Sequence, residues 1–141
     1  MSRTSLAFAA AALILAGAAH AETAKFHADM NGASEVPPTQ SQGTGTVDAS
    51  LDTATRKLDW TGTWQNLTGP ATAAHFHGPA APGASAGVEV PWSKNPTSPF
   101  HGSATLTQQQ MQELQAGKWY ANVHTEKNPG GEIRGQVVKA P

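Results

Sequence analysis

The sequence contains no cysteine. That absence excludes disulfides, and with them blue-copper, iron–sulfur and c-type haem sites, each of which needs a thiol or thiolate. Charge is sparse: acidic and basic residues make up 13% of the chain, the formal net charge is −1, and no lysine or arginine cluster breaks the scatter. Nucleic-acid binding needs a basic patch or stripe, so that class of partner is excluded. Long apolar runs are also missing. The longest, Leu6 to Leu15, falls well short of the ~20 residues that cross a bilayer as a helix, and no later segment comes closer, so no membrane span is expected.

That apolar run has a different reading. Arg3 precedes it and Ala19-His20-Ala21 follows it as a small-x-small motif, the three parts of a signal peptide. Residues 1–21 are therefore assigned as a leader cleaved after Ala21, and residues 22–141 as a single domain, periplasmic or secreted. One domain of this size builds one core. Such a compartment permits disulfides, yet none can form, so stability must come from packing and turns, to which a bound metal could add.

Glycine, proline, threonine and serine are abundant, and apolar residues alternate more often than they repeat at helical spacing. The pattern predicts short strands joined by tight turns. Ala24 to Met30 reads as a first strand ended by Asn31-Gly32, and Glu35-Val36-Pro37-Pro38 as an extended connector, because prolines donate no ladder hydrogen bonds. Val47, Ala49 and Leu51 alternate with polar residues, and after a turn Leu58, Trp60 and Trp64 resume on one face, a hairpin with tryptophan anchors. Ala71 to His77 is the next strand. Residues 85–99 read as a loop with one short apolar run, Val88 to Val90. Residues 107–116 form the one helix, with Thr107 and Gln110 as a capping box, Leu106 stapled to Met111, and Gly117 as the left-handed stop. Lys118 to Thr125 and Ile133 to Val138 close the chain as a hairpin around Asn128 to Gly131. The expected fold is mainly β, an antiparallel Greek-key sandwich or barrel with one short helix.

Within that frame, Ala74-His75-Phe76-His77-Gly78 stands out. In a strand, alternate side chains share a face, so His75 and His77 stand together while Phe76 points to the core. His124 lies on the face of Tyr120 and Asn122 in the penultimate strand. A His-x-His pair with a distant strand histidine can build a three-imidazole site for zinc, copper, iron or nickel, with one coordination position left open. His75, His77 and His124 are the predicted metal ligands, His101 is an additional candidate, and His27 is left outside the site. Glu132 and Asn122 are assigned to support the ligands. Glu132 and Arg134 lie two residues apart on one strand, and an ion pair bracing the turn is an equal alternative for them.

Four blocks carry a resemblance: Glu35-Val36-Pro37-Pro38, Ala74 to Pro79, Tyr120 to Thr125, and Asn128 to Gln136. In that order they resemble the CHRD domain, named after chordin, over nearly the whole mature chain. The resemblance implies an immunoglobulin-like or superoxide-dismutase-like β-sandwich or barrel, found in exported bacterial proteins and extracellular regulators, with no single activity. Its His-x-His and Asn-Val-His-Thr blocks map onto His75, His77 and His124, and it gives no counterpart for His101. Copper/zinc superoxide dismutases are similar at the level of fold and site, and that similarity implies Arg134 as a guide for a small anion or dioxygen species. The expected function is an exported metal-binding protein, with copper ahead of zinc, in copper handling or redox protection. The alternatives are a superoxide dismutase-like oxidoreductase and a non-catalytic extracellular interaction module. A zinc hydrolase with Glu132 as base ranks below these.

Overall fold

A computed structural model describes residues 22–141, together with Gly17 and His20. The leader assigned to residues 1–21 otherwise lies outside the described residues. No helix among the described residues is long and apolar enough to cross a membrane.

Eight strands form one antiparallel sheet that curls into a nearly closed barrel. In chain order they are β1 (Thr23–Asn31), β2 (Thr44–Asp52), β3 (Lys57–Gln65), β4 (Ala71–His77), β5 (Val88–Lys94), β6 (Phe100–Thr105), β7 (Trp119–Thr125) and β8 (Ile133–Lys139). The helix α1 (Gln108–Gln115) links β6 to β7. Across the sheet the order is β5-β4-β7-β8-β1-β2-β3-β6, so β1 to β3 form a meander while β4–β5 and β7–β8 are hairpins set into it by crossovers.

Alternation decides which residues face inward. Phe26, Ala28 and Met30 of β1 meet Val47, Ala49 and Leu51 of β2 and Leu58 and Trp60 of β3, all at least nine-tenths buried. Trp64, expected as a second anchor, is only partly buried and packs at the rim of this core. Phe76 is fully buried and touches Trp60, Trp92 and Trp119 at ring centroid separations of 5.1, 5.1 and 5.6 Å. It is therefore the core peg expected between the two histidines, and aromatic contacts of this kind add to the area each ring buries.

The predicted loop at 85–99 is where the structure departs from expectation. Val88–Lys94 and Phe100–Thr105 are strands, and they form the two edges of the sheet. Pro91 in β5 hides the first: it lacks an N–H, but an edge strand needs ladder bonds on one side only. In β6, Gly102 and Ala104 supply little apolar signal. Trp92 of β5 stacks on Phe100 of β6 with centroids 5.6 Å apart, so side chains cover the gap between the edges. Gly62 and Gly102 are required there, because a Cβ at either would collide with the rings of Trp92 and Trp60 respectively.

The helix forms as its caps predict. Thr107 Oγ1 accepts from the Gln110 N–H, Gln110 Oε1 accepts from the Thr107 N–H, and Gly117 takes the left-handed conformation at φ 73°. Met111 and Leu114 bury its inner face.

Candidate metal centre

β4 and β7 are neighbours, and their register pairs Ala73 with His124, His75 with Asn122, and His77 with Tyr120. β7 in turn pairs Asn122 with Arg134 and Tyr120 with Gln136 of β8. All these polar side chains lie on the outer face of the barrel, since Phe76, Ala121 and Val123 between them face the core. Two loops cover this face. The connector after β1 lowers Glu35 onto it, and the segment between β4 and β5 lays the Ala84 and Ala86 carbonyls across it. As a result His77, Asn122, Tyr120 and Arg134 are buried although they point away from the core, while His75 and His124 keep part of their surface in solvent.

The three predicted ligands converge. One ring nitrogen from each of His75, His77 and His124 falls within 4.8 Å of the others. His75 Nδ1 is 3.1 Å from His124 Nε2. Bonds of ~2.0–2.1 Å from imidazole to a zinc-sized ion place two donors at most ~4.2 Å apart, so the cluster needs little closure to share one ion.

The backbone selects the tautomers. His77 Nδ1 lies 3.0 Å from the Ala86 carbonyl, and His124 Nδ1 lies 2.8 Å from the Pro129 carbonyl. A carbonyl oxygen only accepts, so each Nδ1 carries the proton and each Nε2 presents a lone pair to the cluster. Through the Pro129 carbonyl, the Asn128 to Gly131 turn, which starts four residues after His124, fixes the orientation of that ring. Tyr120 stacks on His77 with ring planes 2° apart and centroids 4.8 Å apart, and its hydroxyl donates to the same Ala86 carbonyl. Burial, then the neighbouring charges of His124 and His77, push the His75 pKa down to about 4. Burial also lowers that of His77, against the hydrogen bonds to Ala86 and Asn122 that favour its charged form. At neutral pH both rings are thus neutral, the form that binds metal. The donor set fits a metal ion.

Asn122, expected to support the ligands, lies among them. Its Oδ1 is 3.0 Å from both His77 Nε2 and His124 Nε2. Glu132 is placed differently from the supporting role. It is fully buried at the far end of the hairpin, where its carboxylate accepts from the Thr68 N–H and from the hydroxyls of Thr68, Thr125 and Ser41, and from Asn128 Nδ2. Burial alone would raise its pKa, but the donors from Thr68, Thr125 and Ser41 hold it at about 2. Glu132 braces the turn, and its support of His124 passes through the backbone of residues 128–131 and not through side-chain contact. No ion pair joins it to Arg134.

Arg134 pairs instead with Glu35, Nε to Oε2 at 2.9 Å, with both side chains almost fully buried. Its Nη1 donates to the Ala84 carbonyl at 3.0 Å, and its guanidinium lies 4.0 Å from the centre of the Tyr120 ring. Glu35, Ala84 and Tyr120 thus engage this cation, which is nearly buried. Glu35 and Tyr120 are the residues that sequence reasoning missed. The one signal for Glu35 was a lone acid within an apolar Val-Pro-Pro connector.

His101 and His27 stand apart from the cluster. His101 lies on β6 with Nδ1 3.0 Å from Thr61 Oγ1 of β3. His27 sits between Asp48 and Asp29 at 2.8 and 3.1 Å, whose hydrogen bonds raise its pKa.

Comparison with known proteins agrees with the four sequence blocks: the CHRD domain model matches residues 26–137. No curated protein and no solved structure matches the chain. A match over this much of the length, carried by a barrel whose blocks supply both the histidine face and its covering connector, makes the chain a member of the CHRD domain family.

Proposed function

We propose that this protein is an exported module that binds one metal ion through His75, His77 and His124, with copper favoured over zinc, and serves copper handling or redox protection. The observation that carries this reading is the convergence of three imidazoles, two of them with backbone carbonyls holding the proton on the outer nitrogen. Neutral nitrogen donors bind divalent copper most tightly of the first-row ions. The leader at residues 1–21 would place the protein where copper is exposed to exported proteins, and the occurrence of CHRD domains in secreted proteins agrees with that address. His75 keeps exposed surface, which leaves the ion a route in and out.

Two other readings bear on the same face. A superoxide dismutase-like oxidoreductase would use the same ligands with Arg134 guiding the anion. The burial of Arg134 against Glu35 and Tyr120 weighs against that role, and a superoxide-decay assay decides it, since copper-loaded protein no faster than free copper has no such activity. An interaction module without metal would hold its partner equally well after loss of all three histidines.

The direct test is expression in copper-free medium, addition of Cu(II), and electron paramagnetic resonance with metal analysis. Stoichiometric uptake by the wild type, lost in His75→Ala and His124→Ala, is expected. Uptake that is absent, or indifferent to those changes, would end the metal reading.

A further inference from the structure

Resting on the metal-binding reading above, we infer that Asn122 Oδ1 is the fourth ligand of the ion, and that Glu35, held by Arg134, is the positioning residue that keeps this oxygen turned toward the imidazoles.

The argument begins with lone pairs. His77 and His124 each aim a bare Nε2 at Asn122 Oδ1 over 3.0 Å, because the protons sit on the opposite nitrogens against Ala86 and Pro129. His77 Nε2 and Asn122 Oδ1 thus face each other as acceptors with no hydrogen between them, and His124 Nε2, which also lies 3.1 Å from His75 Nδ1, is a third nitrogen aimed at the same oxygen. A buried polar group without a partner is costly, and acceptors that face one another repel. A cation at that point satisfies all three.

A flipped Asn122 amide would remove the conflict by donating to the imidazoles, and Glu35 opposes that flip. Asn122 Nδ2 points at Glu35 Oε1, 3.5 Å away. Exchanging nitrogen for oxygen would set a carbonyl against a carboxylate in a site from which water is excluded. Glu35 cannot turn aside, because Oε2 is tied to Arg134 Nε at 2.9 Å and Arg134 is in turn fixed by Ala84, Ser85 and the Tyr120 ring. Gly131, at φ 122°, leaves the room this pair occupies; a Cβ there would come within 2.7 Å of Asn122 Nδ2. The buried ion pair on this face thereby has a purpose beyond joining a loop to the barrel: it polarises one amide.

The resulting donor set is three imidazole nitrogens and one amide oxygen, all neutral. It holds no thiolate or thioether, the ligands that select Cu(I), so the site suits a divalent ion, Cu(II) or Zn(II).

The test is chelator competition with Cu(II) and with Zn(II) on the full mature chain, with the fold checked by circular dichroism. Asn122→Ala should weaken affinity by roughly 10–100-fold, and Asn122→Leu, which keeps the bulk of the side chain but has no oxygen, should weaken it as much. Glu35→Gln should weaken affinity by about 10-fold, and its Cu(II) resonance should split into two species as the amide samples both orientations. If Asn122→Ala binds with wild-type affinity and an unchanged Cu(II) spectrum, the fourth ligand is refuted while the three-histidine site stands. If Asn122→Leu binds as tightly as wild type, the amide oxygen is no ligand and the inference is likewise overturned. A wild type that takes up no ion overturns both readings. The Asn122 pair decides the question should Glu35→Gln not fold.

Discussion

The barrel carries histidines on two outer faces, and the two faces treat the same side chain in opposite ways. On the β1–β2–β3–β6 face, His27 lies half-buried between two exposed aspartates and His101 lies exposed beside a threonine. Acidic neighbours favour the imidazolium, so His27 is raised above its usual pKa. On the β4–β7–β8 face, the connector at Glu35 and the segment at Ala84 to Ala86 bury His77 and Asn122 and cover part of His75, and the group that meets His77 is a backbone carbonyl and not a carboxylate. There His75 falls to about 4 and His77 is lowered too. A histidine on an outer strand face is therefore a poor predictor of a site by itself. Two loops that cover a sheet face, and the groups they bring, separate a converging histidine cluster from surface polar pairs.

The comparison can be broken in several places. The largest effect is expected in metal affinity: His124→Ala should lose more than about 100-fold in Cu(II) binding, whereas His27→Ala and His101→Ala should stay within a few-fold of wild type, as chelator competition would show. Equal losses on both faces would erase the distinction.

Stability offers the next contrast. Glu132→Gln leaves several buried donors facing a weaker acceptor and should cost about 3 kcal/mol in urea unfolding, against less than about 1 kcal/mol for Asp48→Asn on the open face. The sign with pH follows from the shift. Glu132 is lowered from 4.5 to about 2, so its contribution is full above pH 4.5 and is lost as pH falls toward 2. The variant should lack that acid-limb loss.

Titration of the histidines gives a smaller and more specific signal. Because His75 is depressed, its share of stability is present above pH 6.5 and fades as pH falls toward 4; because His27 is raised, its share is present below 6.5 and fades as pH rises through its folded value. Nitrogen-15 NMR of the metal-free protein should show His27 titrating above 6.5 and His75 still neutral well below it. Coincident curves would contradict the electrostatic difference between the faces. The smallest effect belongs to the helix cap: Thr107→Ala should cost about 1 kcal/mol by thermal unfolding and leave metal affinity unchanged, since α1 contributes no residue to the histidine cluster.

Much of this was legible before any coordinates. The bounds of β4, the inward Phe76 between outward His75 and His77, the partner His124 and the capping box of Thr107 and Gln110 all follow from alternation and local hydrogen-bond geometry, which act over a few residues. β5 and β6 escaped because an edge strand tolerates Pro91 and because Gly102 owes its place to a tryptophan 42 positions earlier in the chain. Glu132 and Arg134 were expected to act near each other; strand pairing sent one to Thr68 and Ser41 and the other to Glu35, 99 residues away.

The sequence by itself determined which residues alternate, where strands and the helix begin, and that three histidines lie on compatible faces. Only the tertiary structure decided that they meet, which nitrogen of His77 and of His124 carries the proton, and that an asparagine oxygen points into their midst. The physical reason is range. Side-chain period and capping are settled by neighbours in the chain, whereas tautomer, burial and amide orientation are set by carbonyls and charges that strand register delivers from distant segments.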